Sequence, residues 1–271
     1  MLRARIFTAV IMLFVFLAAL FYLSSIFWMV LLLALTATGI WEWSRLAKFS
    51  LTGSIAYLLF TVILTGELLF VLNDMVLADP HTMSFFWFYM ASAAFWALFV
   101  PFFLTSKRRI KNPPALALAG WLLLLPTCLA LYQLRAIDPF LLLGFMSAVW
   151  ISDTAAYFSG RAWGKHKLAP GISPGKTWEG VVGALAAVFI YALIWNYSTE
   201  DESRIKLLIP LLVLLAGMGI IGDLFESLMK RHAGVKDSGN ILPGHGGILD
   251  RIDALTSTLP IAILSLLLLQ T

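Results

Sequence analysis

Apolar residues in this chain are grouped in long runs divided by short polar stretches. Runs of 17 to 25 residues recur along its whole length, the span a helix needs to cross a hydrocarbon core of about 30 Å. Nine are discernible, at about 6–23, 26–43, 54–73, 84–105, 115–134, 139–158, 180–197, 205–226 and 254–270. The pattern predicts an all-α, polytopic integral membrane protein of about nine transmembrane helices. The opening stretch, MLRARIFTAVIMLFVFLAALFYL, has a long apolar core for a secretion signal. It lacks a convincing small-x-small cleavage site, so it reads as the first helix.

The polar stretches orient these spans. With the N-terminus in the cytoplasm, 16 of the 19 lysines and arginines fall on the cytoplasmic side, leaving only Arg135, Arg204 and Lys206 opposite. The positive-inside rule selects that orientation. It puts 222–253 on the cytoplasmic face and the C-terminus outside. Composition agrees: mean hydropathy is +0.90 and 13% of residues are charged. The net charge of +4 is therefore a matter of topology, and nucleic acid is not an expected partner. A single cysteine, Cys128, excludes an intramolecular disulfide, a thiolate metal cage and a C-x-x-C redox site.

Chemistry is unevenly spread. The first half, 1–135, reads as a scaffold that could also carry dimer contacts. In it Trp41, Trp43 and Arg45 look like interfacial anchors, and Glu67 like a carboxyl near a helix end. The basic loop TSKRRIKNPP (105–114) suits topology and anionic headgroups. Pro101 and Pro126 lie inside spans, so neighbouring helices must satisfy the carbonyls they free. The second half, 136–271, reads as the catalytic region, with cytoplasmic loops 159–180 and 227–253.

There, VWISDTAAYFSG buries Asp153 in a span with Tyr157 one turn on, and an aspartate so placed needs a cation, a metal or a wet cavity. The Gly- and Pro-rich loop after it offers Lys165, Lys167, Lys176, Ser173 and Thr177 to phosphate oxygens. A basic loop serving only topology reads equally well. Its Gly175-Lys176-Thr177 is not a phosphate-binding P-loop, because Pro170 stands where that motif needs glycine and no strand is expected before it.

The densest stretch is GDLFESLMKRHAGVKDSGNILPGHGGILDRID (222–253). It holds five carboxylates (Asp223, Glu226, Asp237, Asp250, Asp253), four cations (Lys230, Arg231, Lys236, Arg251) and two histidines. Gly217, Gly219 and Gly222 thin one side of the preceding helix for a close neighbour. Asp223, Glu226 and Lys230 share one helical face, and Asp250 and Asp253 follow at i, i+3. An oxygen-rich set without cysteine suits a hard cation such as Mg²⁺. His232 and His245 form no ligating pair by spacing, and His245 reads better as a hydrogen-bond donor in a glycine turn.

The run 227–253 resembles the signature of phosphatidate cytidylyltransferases (CDP-diacylglycerol synthases). Every fixed position is filled: Ser227, Lys230, Arg231, Lys236, Asp237, Pro243, His245, Gly246, Gly247, Asp250, Arg251 and Asp253. The loop at 173–180 and Asp153 with Tyr157 resemble further marks of that family. The resemblance covers about 149–258 specifically, and the N-terminal half only in hydropathy. It implies transfer of CMP from CTP to phosphatidic acid with release of pyrophosphate. It also implies Mg²⁺ held by Asp223 and Asp250, a K⁺ beside it, a homodimer, and a bacterial inner (cytoplasmic) membrane location with a cytoplasm-facing pocket. Lys230, Arg231, Lys236, Asp237 and Arg251 would join the two acids in catalysis. Asp153, Tyr157, Lys167, Ser173, Lys176, Thr177, Ser227, His245, Gly246, Gly247 and Asp253 would bind substrate. The rival readings are a transporter, whose charges should gather near the midplane, and a CTP-dependent lipid kinase.

Overall fold

The computed structural model describes residues 2–106, 110, 112–197, 202–241 and 246–269, with backbone alone for 2–9 and 202–206. Nine helices run through the described residues: α1 (Leu2–Tyr22), α2 (Ser25–Leu46), α3 (Leu51–Ala78), α4 (Phe86–Ser106), α5 (Pro113–Ile137), α6 (Pro139–Trp163), α7 (Trp178–Tyr197), α8 (Glu202–Ala233) and α9 (Leu249–Leu268). All but α1 are long and apolar enough there to cross a membrane; the apolar part of α1 described in full, Val10–Tyr22, is shorter. The protein is thus an all-α, multi-pass membrane protein. Its outward faces carry Phe14, Leu59, Ile63, Leu98 and Ile194 exposed, as they should where the surrounding solvent is lipid.

Local chemistry sets the ends. The Ser50 hydroxyl caps α3 by accepting from Gly53 N at 3.1 Å. Pro113 and Pro114 open α5, where their missing N–H groups cost nothing. A single extended residue, Asp138, divides α5 from α6, and its carboxylate accepts from Phe140 N at 2.8 Å. Two helix ends differ from the hydropathy reading in a way that matters. The eighth helix continues past 226 to Ala233, and the ninth starts at Leu249. Asp250, Arg251 and Asp253 therefore stand on helix rather than loop, because charged residues end an apolar run without ending the hydrogen-bond ladder.

Two internal prolines are compensated across helices. Pro126 cannot donate to Leu122 O, and the Ser92 hydroxyl of α4 donates there instead at 3.0 Å. Likewise Pro260 frees Thr256 O, which the Thr127 hydroxyl of α5 reaches at 3.4 Å. A π-turn, Phe95–Phe99, comes just before Pro101 in α4.

One apolar cluster runs from Ala19 to Leu267, with α5 and α9 most enclosed. Within it Phe225 of α8 meets three rings: Trp43 stacked at 6.3 Å, and Phe95 and Trp96 edge-on at 5.8 and 5.7 Å. Trp43 is thus core and not an interfacial anchor, and its indole N–H donates to Leu116 O at 2.8 Å. Hydropathy alone does not separate the two environments. Glu67 is also misplaced by the sequence reading: it is exposed on the middle turns of α3, not near its end.

Between α6 and α7 the glycine-rich loop forms a small antiparallel hairpin, β1 (Lys167–Ala169) with β2 (Ser173–Thr177). No strand is expected before Gly175 from the sequence, so β1 is a correction. Alternation is too short there to read, and Pro170 sits in the turn. The hairpin is fastened at both ends. At its base Trp178 N donates to His166 O at 2.9 Å, and His166 Nδ1 meets Glu179 Oε1 at 2.7 Å. At its tip Ile172 packs on Leu224 and Leu228 of α8, and its carbonyl accepts from Arg231 Nε at 3.3 Å.

Candidate active site

The hairpin, α6, α7, α8 and the start of α9 enclose a cavity of about 510 Å³, within the usual range for small-molecule sites. Asp153, Tyr157, Ser173, Lys176, Thr177, Asp223, Asp250 and Asp253 all line it. Residues spread over a hundred positions of sequence are therefore gathered at one site. Gly160, Arg161, Leu168, Gly180 and Ile220 complete much of the wall.

Asp223 projects from α8 beneath the hairpin. Its Oδ2 lies 2.5 Å from Lys176 Nζ, and its Oδ1 accepts from the Ser227 hydroxyl at 3.3 Å. Two helical turns on from Asp223, Lys230 bridges two acids, with Nζ 2.9 Å from Glu226 Oε2 and 2.6 Å from Asp250 Oδ1. The second oxygen of Asp250 accepts from Ser238 N and the Ser238 hydroxyl, both at 2.9 Å, and from Gly247 N at 2.8 Å. Asp253, one turn further along α9, accepts from Ala254 N at 2.8 Å. Glu226 is buried, and its Oε1 has no hydrogen-bond partner.

Close approach of α8 and α9 depends on Gly222. A Cβ there would come 2.5 Å from Ser257 Oγ and 2.8 Å from Asp253 O. Gly219 faces Ala254 and Thr258 at ordinary contact distance, whereas Gly217 faces open space and thins nothing.

The remaining sequence candidates have other positions. Arg231 braces the hairpin through Ile172 O and reaches Val235 O at 3.3 Å. Thr177, already placed on the cavity wall, is largely buried, and its hydroxyl accepts from Gly180 N at 3.1 Å, which caps α7. Lys167, Lys236, Asp237 and Arg251 are exposed and do not line the cavity, and Gly246 adopts φ +83° in the turn before α9. Gly247 is buried at that turn, and His245 and Pro243 lie outside the described residues. Lys107, Arg108, Arg109 and Lys111 of the basic loop lie outside them as well.

Three contributors were missed. Arg161 lines the cavity and donates to the Tyr157 hydroxyl at 3.1 Å; the sequence reading used it only for topology. Ser238 drew no attention. Glu42 of α2, 1% exposed, accepts from Ile248 N and Leu249 N and lies within reach of the Ser238 hydroxyl. Its signal was available, because it is an acid inside an apolar span, the same criterion that singled out Asp153.

Four carboxyl groups and two cations share the wall, so the chamber is rich in acids. Anionic substrates enter such a chamber only with further positive charge. Among the described residues no three His, Cys, Asp or Glu side chains stand together as a ready metal cage. Mg²⁺ suits this donor set all the same, because it takes one or two carboxylates and completes its shell with water and substrate phosphates.

A bundle of membrane-spanning helices with four acids, Lys176 and Arg161 converging on one chamber has the make-up of a multi-pass membrane enzyme. The chain belongs to the cytidylyltransferase family, whose model matches residues 3–269. It is 37% identical to the phosphatidate cytidylyltransferase of Pseudomonas aeruginosa, covering 96% of this chain and 95% of that one. It is 34% identical to that of Haemophilus influenzae, with 96% of each covered. A relative of the same name from Staphylococcus saprophyticus matches at 47% over 52% of this chain.

Proposed function

We propose that the chamber is where CMP passes from CTP to phosphatidic acid. The chain is a CTP-dependent nucleotidyltransferase of phospholipid biosynthesis, giving CDP-diacylglycerol and pyrophosphate. The observation that carries the site assignment is the convergence of Asp153, Asp223, Asp250 and Asp253 with Lys176 on one cavity.

The attacking atom is a phosphate oxygen of the lipid, whose second pKa of about 6 leaves it largely ionised at neutral pH. No general base is needed. That oxygen forms a bond to the α-phosphorus of CTP in line with the bond to the β-phosphate, which breaks to release pyrophosphate. The obstacle is repulsion between two anions. Asp223 and Asp250 would hold Mg²⁺, which would supply charge neutralisation there. Lys176, already on the wall beside Asp223, meets the phosphates, and Arg161 stands on the same wall near Tyr157. Lys230 keeps Asp250 and Glu226 in place from behind. Arg231 acts through the hairpin. A K⁺ beside Mg²⁺ and a homodimer belong to this reading through the family resemblance. The active site faces the cytoplasm of a bacterial inner membrane, a placement favoured by the 16 of 19 basic residues on that side.

The test supplies purified protein with phosphatidic acid and α-labelled CTP, with and without Mg²⁺. Label should enter lipid and pyrophosphate appear, only with Mg²⁺, and Asp223→Asn and Asp250→Asn should abolish both. Release of CDP in place of pyrophosphate would establish the kinase reading. Wild-type turnover in Asp250→Asn would remove the metal role.

A further inference from the structure

The geometry points to Glu42 as a positioning residue that fixes Asp250 from the far half of the chain. Its carboxylate is 1% exposed on α2, and among the described residues no cation pairs with it. Such a group is costly unless its oxygens are well supplied with donors. Three lie within reach. Oε1 accepts from Ile248 N at 3.1 Å and Oε2 accepts from Leu249 N at 2.9 Å. The Ser238 hydroxyl, whose one proton serves either Oε2 or Asp250, lies 3.0 Å from Oε2.

Ile248 and Leu249 are where α9 begins, and the residue before that helix is Ile248, which has no capping side chain of its own. Glu42 therefore does from another helix what an N-cap residue usually does locally, placing negative charge against the free N–H groups of the first turn. Asp250 is the next residue on that turn. The Ser238 hydroxyl lies within hydrogen-bond reach of both acids, 3.0 Å from Glu42 and 2.9 Å from Asp250. Gly239 and Gly247 admit the Glu42 carboxylate, because a Cβ on either would collide with it. The turn is thus shaped around this one side chain. Its consequence for turnover rests on the reading of Asp250 as a catalytic acid; the anchoring itself does not.

Glu42→Gln keeps the shape but sets an NH2 group against one of the three donors. The measurement combines steady-state kinetics with amide hydrogen exchange by mass spectrometry on full-length protein in detergent, with Asp250→Asn alongside. Supporting partners of this kind usually contribute about 10–100-fold. The expected result is a fall in kcat of that order with the KM for CTP within about threefold. Exchange should quicken over 246–255 while α5 stays protected. Wild-type kcat with wild-type exchange would overturn the proposal. So would exchange that quickens equally in α5, which would mark Glu42 as an ordinary core group. Wild-type turnover in Asp250→Asn would defeat the catalytic reading of Asp250, yet the exchange data would still decide the anchor. Should Glu42→Gln fail to fold, Ser238→Ala carries the test, since it removes one hydroxyl between the two acids. A kcat lowered about fivefold or more at unchanged KM supports the proposal, and a wild-type kcat overturns it.

Discussion

Removing the Lys230 ammonium should expose how the acid cluster is held together. In Lys230→Met the side chain keeps its length and apolar stem. Glu226 and Asp250, whose side chains are 4% and 6% exposed, lose their common cation at 2.9 and 2.6 Å. Breaking a buried pair from one side costs about 3–5 kcal/mol, because the charge left behind has neither water nor partner. The two acids here are not equally vulnerable. Asp250 retains Ser238 N, the Ser238 hydroxyl and Gly247 N on its other oxygen. Glu226 retains nothing, since its Oε1 is already without a partner. Most of the penalty should therefore sit on Glu226, and Lys230→Met/Glu226→Gln should recover at least half of it. Chemical unfolding in detergent, followed by intrinsic tryptophan fluorescence, measures both variants. A single variant as stable as wild type, or a double variant no better than the single one, would refute this reasoning.

Gly222→Ala should destabilise by about 1–3 kcal/mol through overpacking and lower activity with it, because its Cβ presses on Asp253 O and Ser257. Gly217→Ala is the matched control: it meets open space and should be neutral or stabilising by up to about 1 kcal/mol. Thermal transitions of the two side by side check the pair. Thr177→Ala should cost about 0.5–2 kcal/mol as a lost helix cap, and Thr177→Ser should restore it, read by the same melt. Ser92→Ala should cost about 0.5–1.5 kcal/mol by orphaning the Leu122 carbonyl that Pro126 leaves free, with activity unchanged in the label-transfer assay.

The spans were legible because hydrocarbon demands unbroken apolar runs, Asp153 and Asp223 because such runs tolerate few acids, and Asp250 and Asp253 because charge is so dense between the last two spans. What stayed hidden depended on partners far along the chain. Trp43 reads as an anchor until Leu116 and Phe225 are seen against it. Glu42 bonds to residues 196 to 207 positions away, a separation that no local pattern encodes. The hairpin at 167–177 was invisible because its strands are too short for alternation to show. Thr177 carries two roles that its motif position does not separate: it lines the cavity, and its hydroxyl caps α7.

The aromatic nest around Phe225 bears on the chemistry although none of its rings lines the cavity. A helix in a bundle is free to roll about its own axis unless something indexes it. On α8, Trp43, Phe95 and Trp96 grip one side chain immediately before Glu226, so they set the azimuth of Asp223, Glu226 and Lys230 from behind. Side-chain tips travel about 5–6 Å from the helix axis, so a roll of about 20° would carry Asp223 roughly 2 Å sideways. A displacement of about 1 Å can already cost a hundredfold in rate. The nest thus works as a detent, and rings deep in the scaffold share in setting where the acids of α8 point.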